Sequence, residues 1–142
     1  MADSSYKRHL AKTITWRLVG TIDTILLSWL ITADAFVGLQ IGLVETVTKL
    51  ILYFLHERVW FKLNLDKNGR ILASKKRHLA KTFTWRFVGT LDTVIIAWII
   101  TGNPLSGLKI GIAEVASKMI LYYFHERIWY KMDFGLEQRR KN

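Results

Sequence analysis

The chain has no cysteine. Disulfides, cysteine-ligated zinc and thiol catalysis are therefore excluded, and the redox compartment is unread. Proline occurs once, as Pro104, inside a cluster of turn formers. Acidic residues are scarce relative to basic ones: 11 Asp and Glu stand against 21 Lys and Arg, a formal net charge of +10. Such an excess raises nucleic acid as a partner. The placement of the charges argues against it, because they sit at the ends of apolar runs rather than along one face. Catalytic signatures are also lacking. No Ser-His-Asp order, phosphate-binding loop or dinucleotide fingerprint occurs, and His56-Glu57 is followed by Arg58-Val59-Trp60 rather than by a second histidine at metalloprotease spacing. The expectation is a chain that is not an enzyme, with no catalytic residues, no metal and no cofactor. No cleavage signal of the A-x-A type precedes the first apolar run, which would then serve as an uncleaved anchor. Ser4 and Ser5 are expected to lie in a disordered tail.

What is present is apolar. Of 142 residues, 51% are hydrophobic and six are tryptophan, yet the mean hydropathy is only +0.18. The average hides an alternation of long apolar runs with basic connectors. Residues 8–62 align with residues 77–131 at a constant offset of 69 without a gap, and 31 of the 55 positions are identical. RHLAKT recurs at 8–13 and 77–82, TWR at 15–17 and 84–86, and HER at 56–58 and 125–127. Identity over a whole unit marks an internal duplication. Each unit holds two apolar stretches: 14–31 and 36–55, then 83–100 and 105–124. At about 1.5 Å per residue, each approaches the roughly 30 Å of a bilayer core. The helices have no broad polar face, which argues against a soluble bundle. The expected fold is an all-α membrane protein with four transmembrane helices, arranged as two tandem parallel helical-hairpin repeats. The organisation is a first hairpin at 1–63, a linker at 64–76, a second hairpin at 77–132 and a basic tail at 133–142.

Thr32-Ala33-Asp34-Ala35 and Thr101-Gly102-Asn103-Pro104 form the hairpin turns. Neither contains a Lys or Arg. Lys7, Arg8 and Lys12 precede the first span, eight Lys or Arg lie between Arg58 and Lys81, and five follow from Arg127 onward. The positive-inside rule then places both termini and the linker in the cytoplasm.

Each unit carries four ionisable residues inside its spans: Arg17, Asp23, Glu45 and Lys49, then Arg86, Asp92, Glu114 and Lys118. The eight charges sum to zero. A charge near a helix centre costs about 2.5–3.5 kcal/mol on insertion scales, so these groups must meet partners or water. Glu45 and Lys49 are one helical turn apart, with Glu first, the better order for a pair. Folding the hairpin brings Asp23 to the depth of Glu45 and Arg17 to that of Lys49. Gly38, Gly42, Glu45, Lys49 and His56 share one helical face, as do Gly107, Gly111, Glu114, Lys118 and His125. Gly20 lies on the face of Asp23, and Gly89 is its counterpart. Small residues in phase with charge point these faces at other helices, not at lipid.

His9, His56, His78 and His125 fall at the cytoplasmic mouth. They read as interfacial histidines, with a metal or haem site as the alternative. Trp29 and Trp98 belong to the outer aromatic belt, Trp60 and Trp129 to the inner one. Trp16 and Trp85 lie deeper.

The pattern RHLAKT-x-TWR-x-x-GT-x-DT, followed by E-x-x-x-K and LY-x-x-HER-x-W, resembles a bacterial family of small membrane proteins, domain of unknown function 2061. The likeness covers nearly the whole chain, which looks like a fused pair of family units. It implies the membrane hairpin and no established activity or site residues. Two functions compete, with a membrane enzyme or redox protein using the histidines as a third reading. One is a transport or channel component for a small ion or anion, working as a homo-oligomer because four helices leave little room for a pore. The other is a scaffold or accessory subunit whose charges only lock helix packing.

Overall fold

The computed structural model describes residues 2–63 and 74–134, and four helices occupy them: α1 (Ala2–Thr32), α2 (Ala35–Leu63), α3 (Lys75–Thr101) and α4 (Pro104–Lys131). The helices outrun the apolar stretches. α1 begins at Ala2, so the polar N-terminal segment expected as a disordered tail is helical. Its 31 residues exceed the roughly 20 needed to cross a bilayer core, and the basic end projects beyond it. The linker expected at 64–76 lies mostly outside the described residues, but its end does not. Ser74 caps α3, accepting a hydrogen bond from the Arg77 amide.

The two turns sit at corresponding positions and solve the same problem with different residues. A helix that must reverse within two residues needs a left-handed residue just past its end. Gly102 takes that conformation (φ 69°), and its amide donates to the Trp98 carbonyl. In the first repeat the same position is Ala33 (φ 58°), where the methyl group costs roughly 1–2 kcal/mol. Asp34 and Asn103 then cap the next helix. Asp34 Oδ1 accepts from the amides of Phe36 and Val37, and Asn103 Oδ1 from that of Leu105.

The helices form a closed ring in which α1 packs on α2 and α4, and α3 packs on α2 and α4. All neighbours run antiparallel, so both turns lie at one end and the two hairpins are parallel repeats. The α1–α4 contacts reappear between α3 and α2, giving the bundle a pseudo-twofold axis along its length.

The partition of side chains is the reverse of a soluble bundle. The largest fully buried side chains are Ile41, Ile110, Thr24, Thr93 and Ser28, and Glu45 and Glu114 are buried with them. Leu30, Phe83 and Ile99 are at least three-quarters exposed. Apolar outside and polar inside is the pattern that lipid imposes. α1, α2 and α3 are long and apolar enough to cross a membrane. α4 matches α2 in its packing but carries Lys109 where α2 has Gln40, a third charge within its apolar stretch.

Candidate functional site: a charged layer at the centre of the bundle

Close helix approach creates the site. A Cβ at Gly38 would lie 2.8 Å from the Ile25 carbonyl oxygen, and one at Gly107 2.6 Å from that of Val94. Gly42 and Gly111 face the side chains of Ile25 and Val94 in the same way. The glycines thus seat the second helix of each hairpin against its own first helix. One turn further along, the same face delivers Glu45 and Glu114 to the bundle axis, where each is under 5% exposed. Gly20 and Gly89 act differently. They leave a lane for lysine, with a Cβ there falling 3.6 Å from Lys118 Cε and 3.7 Å from Lys49 Cε, in ordinary contact.

At the axis, four charges alternate in a ring. Lys49 Nζ donates to Glu45 Oε1 on its own helix and lies 3.2 Å from Glu114 Oε1 across the bundle. Lys118 Nζ donates to Glu114 Oε1 and lies 3.6 Å from Glu45 Oε1. Each ammonium also donates to a threonine of the other repeat: Lys49 to Thr93 and Lys118 to Thr24, both at 2.9 Å. All four helices therefore meet in one layer. Asp23 and Asp92 flank it. Each accepts a hydrogen bond from the opposite repeat, Asp23 from Ser117 at 2.8 Å and Asp92 from Thr48 at 2.9 Å.

Six of the eight intramembrane charges gather here. Arg17 and Arg86 do not; both are exposed on the outer surface. Depth alone placed Arg17 beside Lys49, and helical phase takes it away. It follows Trp16, which packs edge-on against Tyr122 of α4 (5.3 Å between centroids), and a further ~100° of rotation turns it outward. The hydroxyls of Thr24, Thr48, Thr93 and Ser117 were missed by sequence reasoning. A signal for two of them existed, since Asp23-Thr24 and Asp92-Thr93 are identical in the two copies.

The histidines do not converge. His9 and His78 are exposed, whereas His125 is buried and His56 partly so. His125 Nε2 lies 2.9 Å from Thr15 Oγ1 and accepts from the Trp129 indole N–H at 3.1 Å. His56 meets Thr84 at 2.9 Å in the equivalent place, with Trp60 also donating to Thr84. The Trp129 indole N–H lies 3.2 Å from Thr15 Oγ1 as well, so Trp129, His125 and Thr15 form one small polar cluster between α4 and α1. Among the described residues, no group of three or more His, Asp or Glu could hold a metal ion.

Further contacts tie the rim. Lys12 pairs with Glu126 (2.6 Å) and Lys81 with Glu57 (2.7 Å). The Arg8 guanidinium donates to the carbonyls of Trp129, Met132 and Phe134 at the end of α4, and Arg77 to that of Leu63 at the end of α2. A cation over the last carbonyls of a helix compensates its unpaired acceptors and its dipole. At the turn end the bundle is sealed instead by Ile41, Ile96, Ala97 and Ile110, backed by Ile31, Val37 and Ile100.

A family model described as "Predicted membrane protein (DUF2061)" matches residues 10–61 and again 79–130. No curated protein and no solved structure matches the chain.

Proposed function

Because the chain belongs to the DUF2061 family of predicted membrane proteins, in two tandem copies, we propose that it is a four-pass membrane scaffold or accessory subunit whose charged layer locks two hairpins into one closed bundle. One observation carries this reading. Each lysine ammonium has three N–H groups, and each meets three oxygen partners, two carboxylates and a threonine. Cations bridged in this way to groups of both hairpins hold the repeats in register. The aliphatic seal at the turn end interrupts a polar path in the same sense. A closed bundle of this kind does not require the oligomer that a pore would need.

A second reading, ion or proton movement, is favoured by a different observation. Oε2 of Glu45 and of Glu114 are buried with no hydrogen-bond partner among the described residues. Flux assays on the purified protein in liposomes separate the two. The lock predicts proton and anion flux at the level of protein-free vesicles. Flux above that level, abolished by Glu45→Leu with Lys49→Leu in a variant that still folds, would overturn the lock in favour of conduction.

The orientation carries its own expected result. Both termini and the connection between α2 and α3 face the cytoplasm in this reading, so both turns face outward. The absence of cysteine makes Asp34→Cys and Asn103→Cys unique labelling sites. A membrane-impermeant maleimide added to intact inner-membrane preparations with the periplasmic face outward should label both. Labelling only after permeabilisation would reverse the orientation.

A further inference from the structure

The outer surface of α2 changes character where the helix leaves its apolar stretch. Phe54, Glu57, Arg58, Phe61 and Lys62 line a shallow, open groove of about 530 Å³ there. Its walls are aromatic. Phe54 and Phe61 are both more than half exposed, and the Arg58 guanidinium sits over the Phe54 ring, 5.8 Å from its centroid. Its one acid is already neutralised, since Glu57 is paired with Lys81 of α3 at 2.7 Å. Arg58 and Lys62, one helical turn apart, have no ion pair among the described residues. Two cations without an ion pair among the described residues thus stand beside two exposed aromatic rings, at the depth where the apolar run ends at residue 55.

We propose that this groove is a binding site for an anionic phospholipid. The phosphate would be held between Arg58 and Lys62 and an acyl chain laid against Phe54 and Phe61. A guanidinium matches a phosphate with paired donors, and the aromatic walls need an apolar chain, which a free phosphate lacks. The equivalent place in the second repeat is built otherwise. Arg127 lies over the Tyr123 ring in the same way, 6.0 Å from its centroid, but Tyr123 and Tyr130 replace Phe54 and Phe61, and the Tyr123 hydroxyl accepts from Arg127 at 3.4 Å. The wholly apolar rings assign the site to the first repeat. The inference rests on the membrane placement and not on the scaffold reading, so flux through the bundle would leave it standing.

The test uses the full chain in mild detergent, titrated with phosphatidylglycerol or with phosphatidylcholine of the same acyl chains and read by native mass spectrometry. Two basic side chains at a lipid surface each strengthen anionic lipid binding by a factor of about five, so the protein should retain phosphatidylglycerol at least roughly tenfold more tightly. Arg58→Gln with Lys62→Gln should remove most of that preference. Arg127→Gln with Lys131→Gln, which removes the same charge from the second repeat, should leave it intact. Equal losses in both variants would reduce the effect to overall charge, and an unchanged preference in the first would dismiss the site. If the first double variant does not elute as folded protein, Arg58→Gln alone decides by the same criteria.

Discussion

Lys49→Ala is expected to destabilise the bundle by about 3–5 kcal/mol, the cost typical of stranding one member of a buried ion pair. The structure explains why the loss falls at the high end of single substitutions. Lys49 bridges Glu45 of its own helix and Glu114 across the axis. Without it, two buried carboxylates share the Lys118 ammonium, and the layer carries an uncompensated negative charge. Thr93 loses its donor as well. Glu45→Leu together with Lys49→Leu removes both signs at once and leaves the Glu114–Lys118 pair intact, so it should cost less than either single change. Lys12→Ala provides the contrast. It also breaks an ion pair, but both partners are about one-third exposed, and such pairs are worth about 0–1 kcal/mol. Thermal unfolding in mild detergent measures these three variants, together with Glu45→Leu and Lys49→Leu as the singles that complete the cycle. Additive losses for Glu45 and Lys49 would mean that they do not interact.

The second large effect is steric. Gly38→Ala and Gly107→Ala should each destabilise the hairpin they belong to, at or above the roughly 1–3 kcal/mol usual for overpacking. The new methyl group meets backbone: at residue 38 the Ile25 carbonyl and the Trp29 amide, at residue 107 the carbonyl of Val94 at 2.6 Å and the amide of Trp98 at 3.1 Å. Backbone cannot rotate aside, so the whole first helix must move. Gly42→Leu and Gly111→Leu drive a larger group into Ile25 and Val94, β-branched side chains with little rotamer freedom, and should also disturb the helix pair. Gly20→Ala and Gly89→Ala place the methyl in ordinary contact with a lysine Cε. They also gain up to about 1 kcal/mol of helix propensity, so they should be neutral or mildly stabilising. If Gly38→Ala unfolds at the temperature of the unaltered protein, the close approach of α1 and α2 is wrong.

The contrast between the glycines shows where the sequence could and could not be read. Gly20, Gly38 and Gly42 look alike as small residues on polar faces, but only contact with a particular neighbour tells a helix seat from a lysine lane. The duplication, the two hairpins and the Glu45–Lys49 pair were legible because each depends on spacing along one chain. The partners of Asp23 and Asp92 were not. Depth in the membrane follows from counting residues out from a turn, and it brings Asp23 level with several side chains. The choice of Ser117 depends on α1 lying beside α4, which no local spacing encodes. Arg17 shows the same gap, being correct in depth and wrong in direction. The helical caps made by Arg8 and Arg77 were hidden for a related reason. Their positive charge served to orient the chain, while their hydrogen bonds run to carbonyls more than a hundred residues away for Arg8 and 14 residues away for Arg77.

The central claim is that the charged layer joins one repeat to the other, beyond pairing charges within a helix, and an exchange of signs tests it most directly. Glu45→Lys with Lys49→Glu keeps the pair within α2 and the net charge. It sets residue 49 against Glu114 and residue 45 against Lys118 as like charges across the axis. Making Glu114→Lys and Lys118→Glu as well restores the alternation around the whole ring. Thermal unfolding of the three variants in mild detergent is therefore expected to show a large loss for an exchange in either repeat alone and recovery of most of that loss when both are exchanged. A single-repeat exchange as stable as the unaltered protein, or a fourfold variant that merely sums the two losses, would contradict the layer as the joint between the hairpins.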